Sequence, residues 1–269
     1  MSLSIVSWNI NSIRFRLNLV NNFILEANPD IICLQEIKCE NKNFPYDFFK
    51  TRGYSYMAID GQKSYHGVAI LSKYPFKLHK INKFCNLNDC RHIAVLLSFN
   101  SINLWINNLY VPAGGDEPNP NTNPKFAHKL AFLEEIKQFK SKQQGDYHLL
   151  LGDFNIAPLE QDVWDHKKLL KVVSHTPIET ELLTTIYQQG NWYDLIRDKL
   201  GQDTKLFSWW SYRSPNWEKA DKGRRLDHIW GAKELKDKIT TAKIWKSYRN
   251  HEKPSDHVPV EIKLKLNAL

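Results

Sequence analysis

The chain has 269 residues, 42% of them hydrophobic and 12% aromatic, which is enough apolar material for a sizeable core and too much for a disordered chain. It has no apolar run of about 18 residues, and its opening MSLSIVSWNINS lacks the basic flank and apolar centre of a secretory leader, so a cytoplasmic protein without a membrane segment is expected. Lys and Arg number 37 against 29 Asp and Glu, a net charge of +8 that favours a polyanionic partner, while Cys33, Cys39, Cys85 and Cys90 form no C-x-x-C pair and so predict reduced thiols without zinc.

SIVSWNI reads as a strand. RLNLVNNFILEANPD follows as a helix, with Leu17, Val20 and Ile24 at helical spacing and Pro29 ending it. IICLQE returns to strand, and GVAILS (67–72), HIAVLLSF (92–99) and INLWINNLYV (102–111) predict three more. The last is apolar on both faces, as a central strand covered on both sides would be. PAGGDEPNPNTNP, 112–124, is a long loop rich in turn residues. A helix with Phe126, Leu130 and Leu133 on one face then leads to LLLGDFNIAP (149–158), and helical patterns recur at 162–172 and 178–189. Strands mixed with helices throughout, without linker or repeat, predict an α/β or α+β fold in one domain spanning 1–269.

In LLLGDFNIAP a strand over Leu149–Leu151 would, by its period of two, carry Asp153 and Asn155 out on one side of the chain. The alternative is a turn in which Gly152 frees the backbone, the two polar side chains bond locally and Pro158 stops the chain.

Similar polar strand ends recur. SWNIN offers Asn9 and Asn11, ICLQE offers Glu36, NNLYVP ends in Tyr110, RRLDHIW holds Asp227, and SDHVPV supplies Asp256 and His257 ahead of a last strand. Each alone has a plain use: a surface Glu, a half-buried Tyr, a buried Asp met by backbone donors, a strand-entry turn. Together they are the set that phosphodiester hydrolysis needs, since water must be activated and growing negative charge neutralised. Glu36 with Asn9 or Asp256 supplies hard oxygen ligands of the kind Mg²⁺ takes. Asp153 can orient or deprotonate water with Asn155 holding the geometry, and His257, fixed in one tautomer by Asp227, can meet phosphate or share the proton transfer.

VSWNINSIR, LQEIKC, YVP, GDFNIAP, RRLD and SDHVPV, in this order over nearly the whole chain, resemble the exonuclease III family of abasic-site endonucleases, part of the endonuclease/exonuclease/phosphatase superfamily. The resemblance implies a four-layered α/β-sandwich, two packed mixed β-sheets flanked by helices. It implies a monomer that uses Mg²⁺, with Mn²⁺ able to substitute, to cut double-stranded DNA 5′ to abasic sites and leave a 3′-OH. Exonuclease action from 3′ to 5′ and the cleaning of blocked 3′ ends are implied with it. Glu36 resembles the principal metal ligand, helped by Asn9 and Asn11, with Asp256 at a second metal placement and Asp153, Asn155 and His257 within reach of the metal. Tyr110 matches a phenol near the scissile phosphate, Asp153 and Asn155 the residues that aim water, and Asp227 with His257 an Asp–His pair.

KLFSWWSYRSPNWEKADKGRR, 205–225, interleaves aromatics with cations, as a nucleic-acid surface does. Trp210 reads as core. By similarity Trp209 and Leu226 line a pocket for an extrahelical abasic sugar, and Arg213 and Arg224 lie near phosphates. A nucleotide without its base is cheap to extrude, which gives lesion selectivity without base readout.

Two features depart from the family pattern. Ala113 stands where an Asn often follows YVP, and Asp116 and Glu117 beyond it repel phosphate, so the 112–124 loop is not expected to clamp DNA. His228 replaces a common Tyr after RRLD and reads as an incidental neighbour of the site. The rivals are a phosphoinositide phosphatase or sphingomyelinase of the same superfamily, against which WWSYR and RRLD speak, and a catalytically silent DNA-binding module, which the intact polar set disfavours.

Overall fold

A computed structural model describes residues 2–99, 102–214 and 216–265; the remaining positions of the expected 1–269 domain lie outside the described residues. The strands are β1 (Ser2–Asn9), β2 (Ile31–Gln35), β3 (Tyr56–Asp60), β4 (Val68–Ser72), β5 (Phe76–Lys80), β6 (His92–Phe99), β7 (Ile102–Tyr110), β8 (Lys142–Gln143), β9 (Asp146–Asp153), β10 (Tyr193–Asp194), β11 (Trp209–Trp210), β12 (Gly223–Arg224), β13 (Asp227–Gly231), β14 (Ile239–Ile244) and β15 (Val260–Lys265). Three helices are long enough to cover a sheet: α1 (Leu17–Ala27), α2 being the short Tyr46–Lys50, α3 (Pro124–Ile136) and, after the single turn α4 (His166–Leu169), α5 (Pro177–Gln189).

One sheet has the order β14-β15-β1-β2-β4-β3 and the other β10-β13-β9-β7-β6-β5, with β8 on β9; β11 and β12 form a separate ribbon. Each large sheet is mixed, since β1 pairs with β2 and β7 with β9 in parallel while their other pairings are antiparallel. Between the sheets lie Ile5, Cys33 and Ile70 from one and Val95, Ile106, Leu149, Leu151 and Ile229 from the other. Val6, Trp8 and Leu34 face outward onto Leu19, Val20 and Phe23 of α1. Leu109, Leu150 and Trp230 face outward onto Phe132 and Leu133 of α3 and Leu183 and Ile186 of α5. The result is the expected four-layered α/β-sandwich.

This layering explains the three leucines. Leu149 and Leu151 point between the sheets and Leu150 points at the helices, so β9 is buried on both faces and cannot alternate with polar residues. β7, which pairs with both β6 and β9, is the expected central strand.

The helix expected over 162–172 is not continuous. Val163 bridges to Arg224 and the Trp164 amide donates to Gly223 O, which draws the chain out beside β12; only α4 remains helical. Asp162, just before, is buried against Arg197 and Arg225. Strands β3, β5 and β14 went unread in the sequence because their faces are mixed or exposed, FKLHK of β5 being mostly solvent-facing at a sheet edge. Trp210 is core, only 1% exposed, and all four cysteines are free thiols. Among the described residues no helix is long and apolar enough to cross a membrane.

Candidate active site

The register brings the polar strand ends to one edge of the sandwich. Parallel β1 and β2 align Asn9 with Gln35, placing Glu36 one residue beyond, and parallel β7 and β9 align Tyr110 with Asp153. β13 runs antiparallel to β9, so its first residue, Asp227, pairs with Asp153, the last of β9. His257 precedes β15, itself antiparallel to β1, and so arrives at the same edge.

Asp153 and Asn155 do come together, though not through strand alternation. The strand stops at Asp153, and Asn155 takes a left-handed conformation at φ 52°. The Asn155 amide donates to Asp153 Oδ1 at 2.9 Å, and its side chain donates to Asp153 Oδ2 at 3.2 Å and to Val111 O at 2.9 Å. Gly152 has φ +138°, and a Cβ there would lie 1.9 Å from Leu109 O, so the strand exit requires glycine. The strand and the turn are thus both real, in succession.

Around this turn the side chains form a continuous network. Asn9 Nδ2 donates to Glu36 Oε1 at 2.9 Å and to Asp153 Oδ2 at 2.8 Å, linking the two acids. The Tyr110 hydroxyl donates to Glu36 Oε1 at 2.8 Å. His257 Nδ1 lies 2.8 Å from Asp227 Oδ2, which also accepts from Ser208 Oγ at 2.6 Å, and His257 Nε2 faces Asp153 Oδ2 at 3.6 Å. Asp256 accepts from Asn11 Nδ2 and Trp209 Nε1, each at 3.0 Å.

Electrostatics follow from this packing. Burial works against the charged Glu36, but the Lys38 ammonium and the donors Asn9, Lys38 and Tyr110 outweigh it and hold the carboxyl below its usual range. Burial, then the Glu36 and Asp153 charges, push the Tyr110 phenol far up, so it stays a neutral donor. Burial raises Asp153, with Asp227 and Glu36 adding repulsion against the attraction of His257. Burial opposes the His257 imidazolium, yet Asp227 and Asp153 dominate and raise it.

The donor set fits a divalent cation. Four carboxylates crowd one cleft, and the Lys38 ammonium already bridges Glu36 Oε2 and Asn11 Oδ1, each at 2.7 Å, showing that these oxygens converge on cationic charge. Asp153, Asp227 and His257 also offer ligand atoms within 4.8 Å of one another, and Asp227 Oδ1 is buried without a partner among the described residues. Asp227 is thus a potential ligand that sequence reasoning assigned only to pairing with His257. Lys38 was missed as well, although its place two residues after Glu36 in LQEIK could have pointed to it. Ser208 leaves no local signal, since its contact with Asp227 is made across the fold.

The cleft above the network holds about 800 Å³ and is lined by Glu36, Tyr110, Asn155, Asp256 and His257 on its floor. Trp209, Arg213, Lys222, Arg224 and Leu226 form its wall, with Ala113 and Asp116 at the rim. The Trp209–Arg224 pairing of β11 with β12 sets the Arg224 guanidinium 5.3 Å over the indole, and Arg224 donates to Val173 O and Ser174 Oγ. Every expected site residue therefore lies in the cleft or directly beneath it. His228 does not: fully buried, it stacks on Phe154 at 5.0 Å and bonds Ile156 O at 2.9 Å, on the helix side of the sheet.

The sequence pattern of the Endonuclease/Exonuclease/phosphatase family matches residues 6–257. The chain belongs to this family. It is 29% identical to exodeoxyribonuclease III of Haemophilus influenzae, over 96% of this chain and 98% of the relative. It is 26% identical to a DNA-(apurinic or apyrimidinic site) endonuclease of Dictyostelium discoideum, over 98% of this chain and 71% of the relative. Among solved structures, an AP endonuclease from Archaeoglobus fulgidus superimposes with a TM-score of 0.89 at 27% identity, covering 98% of this chain and 100% of that one. The 3′ phosphatase NExo (D146N) from Neisseria, bound to a product DNA hairpin, gives 0.87 at 26% identity, covering 98% and 99%. This family member is accordingly a nuclease, a hydrolase of DNA repair, in a family whose nucleases depend on metal.

Proposed function

We propose that the protein is a Mg²⁺-dependent repair phosphodiesterase that cuts duplex DNA 5′ to an abasic site and leaves a 3′-OH. The same site trims DNA from the 3′ end and removes blocking groups there. One observation carries the reading: the acid, amide and His257–Asp227 cluster lies at the foot of a cleft whose wall pairs the Trp209 indole with the Arg224 guanidinium. An inositol or lipid phosphatase has no need of an aromatic–cationic wall able to seat a flipped sugar between Trp209 and Leu226.

Glu36, with Asn11 and Asp256 beside it, would hold the cation, and Asn9 fixes Glu36 relative to Asp153. When bound, Mg²⁺ neutralises phosphate charge and stabilises the leaving oxygen; Mn²⁺ fits the same oxygen donors. Asp153, raised by burial, accepts the proton of the attacking water, and Asn155 keeps that carboxylate turned toward the cleft. His257 is held protonated by Asp227 and Asp153 and donates to a phosphate oxygen; Tyr110, a neutral phenol, donates beside it. Arg213 and Arg224 meet flanking phosphates. All these groups come from one chain, so a monomer with a single catalytic domain suffices.

The test is a duplex carrying one abasic analogue, offered with Mg²⁺ or with EDTA, beside an intact duplex, a 3′-phosphate duplex and an inositol polyphosphate. The expected result is a metal-dependent nick 5′ to the lesion with 3′ phosphate release, lost in Asp153→Asn while DNA binding persists. Absence of any metal-dependent nick overturns the reading, and normal cutting by Asp153→Asn overturns the assignment of that residue.

A further inference from the structure

We propose that Lys129 is a positioning residue for the cutting step, holding the turn that carries Asp153 and Asn155 in its working geometry; this rests on the reading that the turn handles the attacking water. Lys129 lies on the inner face of α3 and is 0% exposed, an unusual depth for an ammonium group. All three of its N–H donors are spent: on Asn155 O at 2.8 Å, on Ala113 O at 3.3 Å and on Glu179 Oε1 at 2.5 Å. The first two acceptors belong to irregular backbone, the catalytic turn and the start of the 112–124 loop. A helix or sheet would satisfy such carbonyls by its own ladder; these depend on Lys129.

Asn155 is thereby fixed at three points. Its amide and side chain bond Asp153, its side chain bonds Val111 O, and its carbonyl is drawn the other way onto α3. Its left-handed backbone leaves this residue little other support. The loop is pressed onto the same lysine: a Cβ on Gly114 would meet Lys129 Cδ at 2.9 Å and Val173 Cγ1 at 3.0 Å.

Beyond the lysine the chain of contacts continues into the cleft wall. Glu179, also 0% exposed, accepts from the Ser174 amide at 2.9 and 3.0 Å, from the Thr176 amide at 3.1 Å and from Thr176 Oγ1 at 2.6 Å. Ser174 Oγ in turn accepts from Arg224 at 2.6 Å. A staple joining α3 to α5 needs only the Lys129–Glu179 pair. The two donations to Asn155 O and Ala113 O are what a positioning role adds.

The test separates these. Lys129→Met alone strands the Glu179 carboxylate and destabilises the fold, so the full chain is compared with the Lys129→Met/Glu179→Gln double variant, in which the buried charges leave together. Melting temperature, and kcat and KM on the single-abasic duplex with Mg²⁺, are measured for both. The double variant is expected to melt several degrees below the parent, from the two carbonyls it orphans, and at an assay temperature well below both transitions to keep its KM while kcat falls by about 10- to 100-fold as the turn loses its tether. An unchanged kcat overturns the inference. So does a loss of kcat that tracks the loss of stability and recovers on cooling, which is the mark of a staple alone. If the parent chain itself makes no nick, the functional reading fails first and is identified as the failure.

Discussion

Among single residues, His228 shows how a side chain next to an acid of the candidate site can be wholly structural. Asp227 and His228 are adjacent in β13, so the pleat sends them to opposite faces: Asp227 to the cleft and His228 to the helix layer, against Phe154. Burial, reinforced by the nearby Arg225 charge, brings the His228 imidazole down from 6.5 to about 3. Because the folded value is depressed, the unfolded chain binds this proton first. Its contribution to stability is complete above pH 6.5 and is lost as pH falls from there toward about 3. Denaturant midpoints measured across that window should fall more steeply for the parent than for His228→Gln. Equal slopes would show that the ring is not held neutral. The motif RRLDH announced the acid but said nothing about which face its neighbour takes.

At the scale of elements, β9 is the piece on which the site depends. Its three leucines serve two cores, and the rigidity gained from burial on both sides ends at Gly152, where the turn begins. Leu150→Ala removes a fully buried side chain from the layer between β9 and the helices α3 and α5, at a cost of about 2–5 kcal/mol. Chemical denaturation measures it directly, and a loss under about 1 kcal/mol would mean that this layer is poorly packed. The failed helix over 162–172 belongs to the same scale. Helical periodicity is a local signal, and at Val163 and Trp164 it lost to pairing with β12, a strand that starts sixty residues later in the chain.

At the scale of the molecule, charge and topology combine. Of the cations behind the net charge of +8, Arg213, Lys222 and Arg224 line the cleft, facing Glu36 and Asp256 with Asp116 at the rim. Three cations meeting three phosphates give a slope of about −2.7 in log affinity against log salt, so duplex binding should weaken about 40-fold from about 50 to 200 mM. A binding titration with EDTA present, so that no cutting occurs, measures the slope. A flat response would place the DNA elsewhere.

The order of residues along the chain was enough to show which polar side chains end which apolar strands, and so to single out Glu36, Tyr110, Asp153, Asn155, Asp227 and His257 as candidates. Short apolar runs and turn residues are local facts, so most main strands and the α/β or α+β class could be read from them, while the four layers came from the family resemblance. Contacts made across the chain were not legible in the sequence, because folding brings their partners together. The Lys38 bridge between Glu36 and Asn11, the Ser208 bond to Asp227, and Lys129 between two carbonyls and Glu179 depend on sheet register and helix docking. A lysine on a helix reads as solvated until the fold buries it, because a sequence records spacing along the chain and not what packs against it.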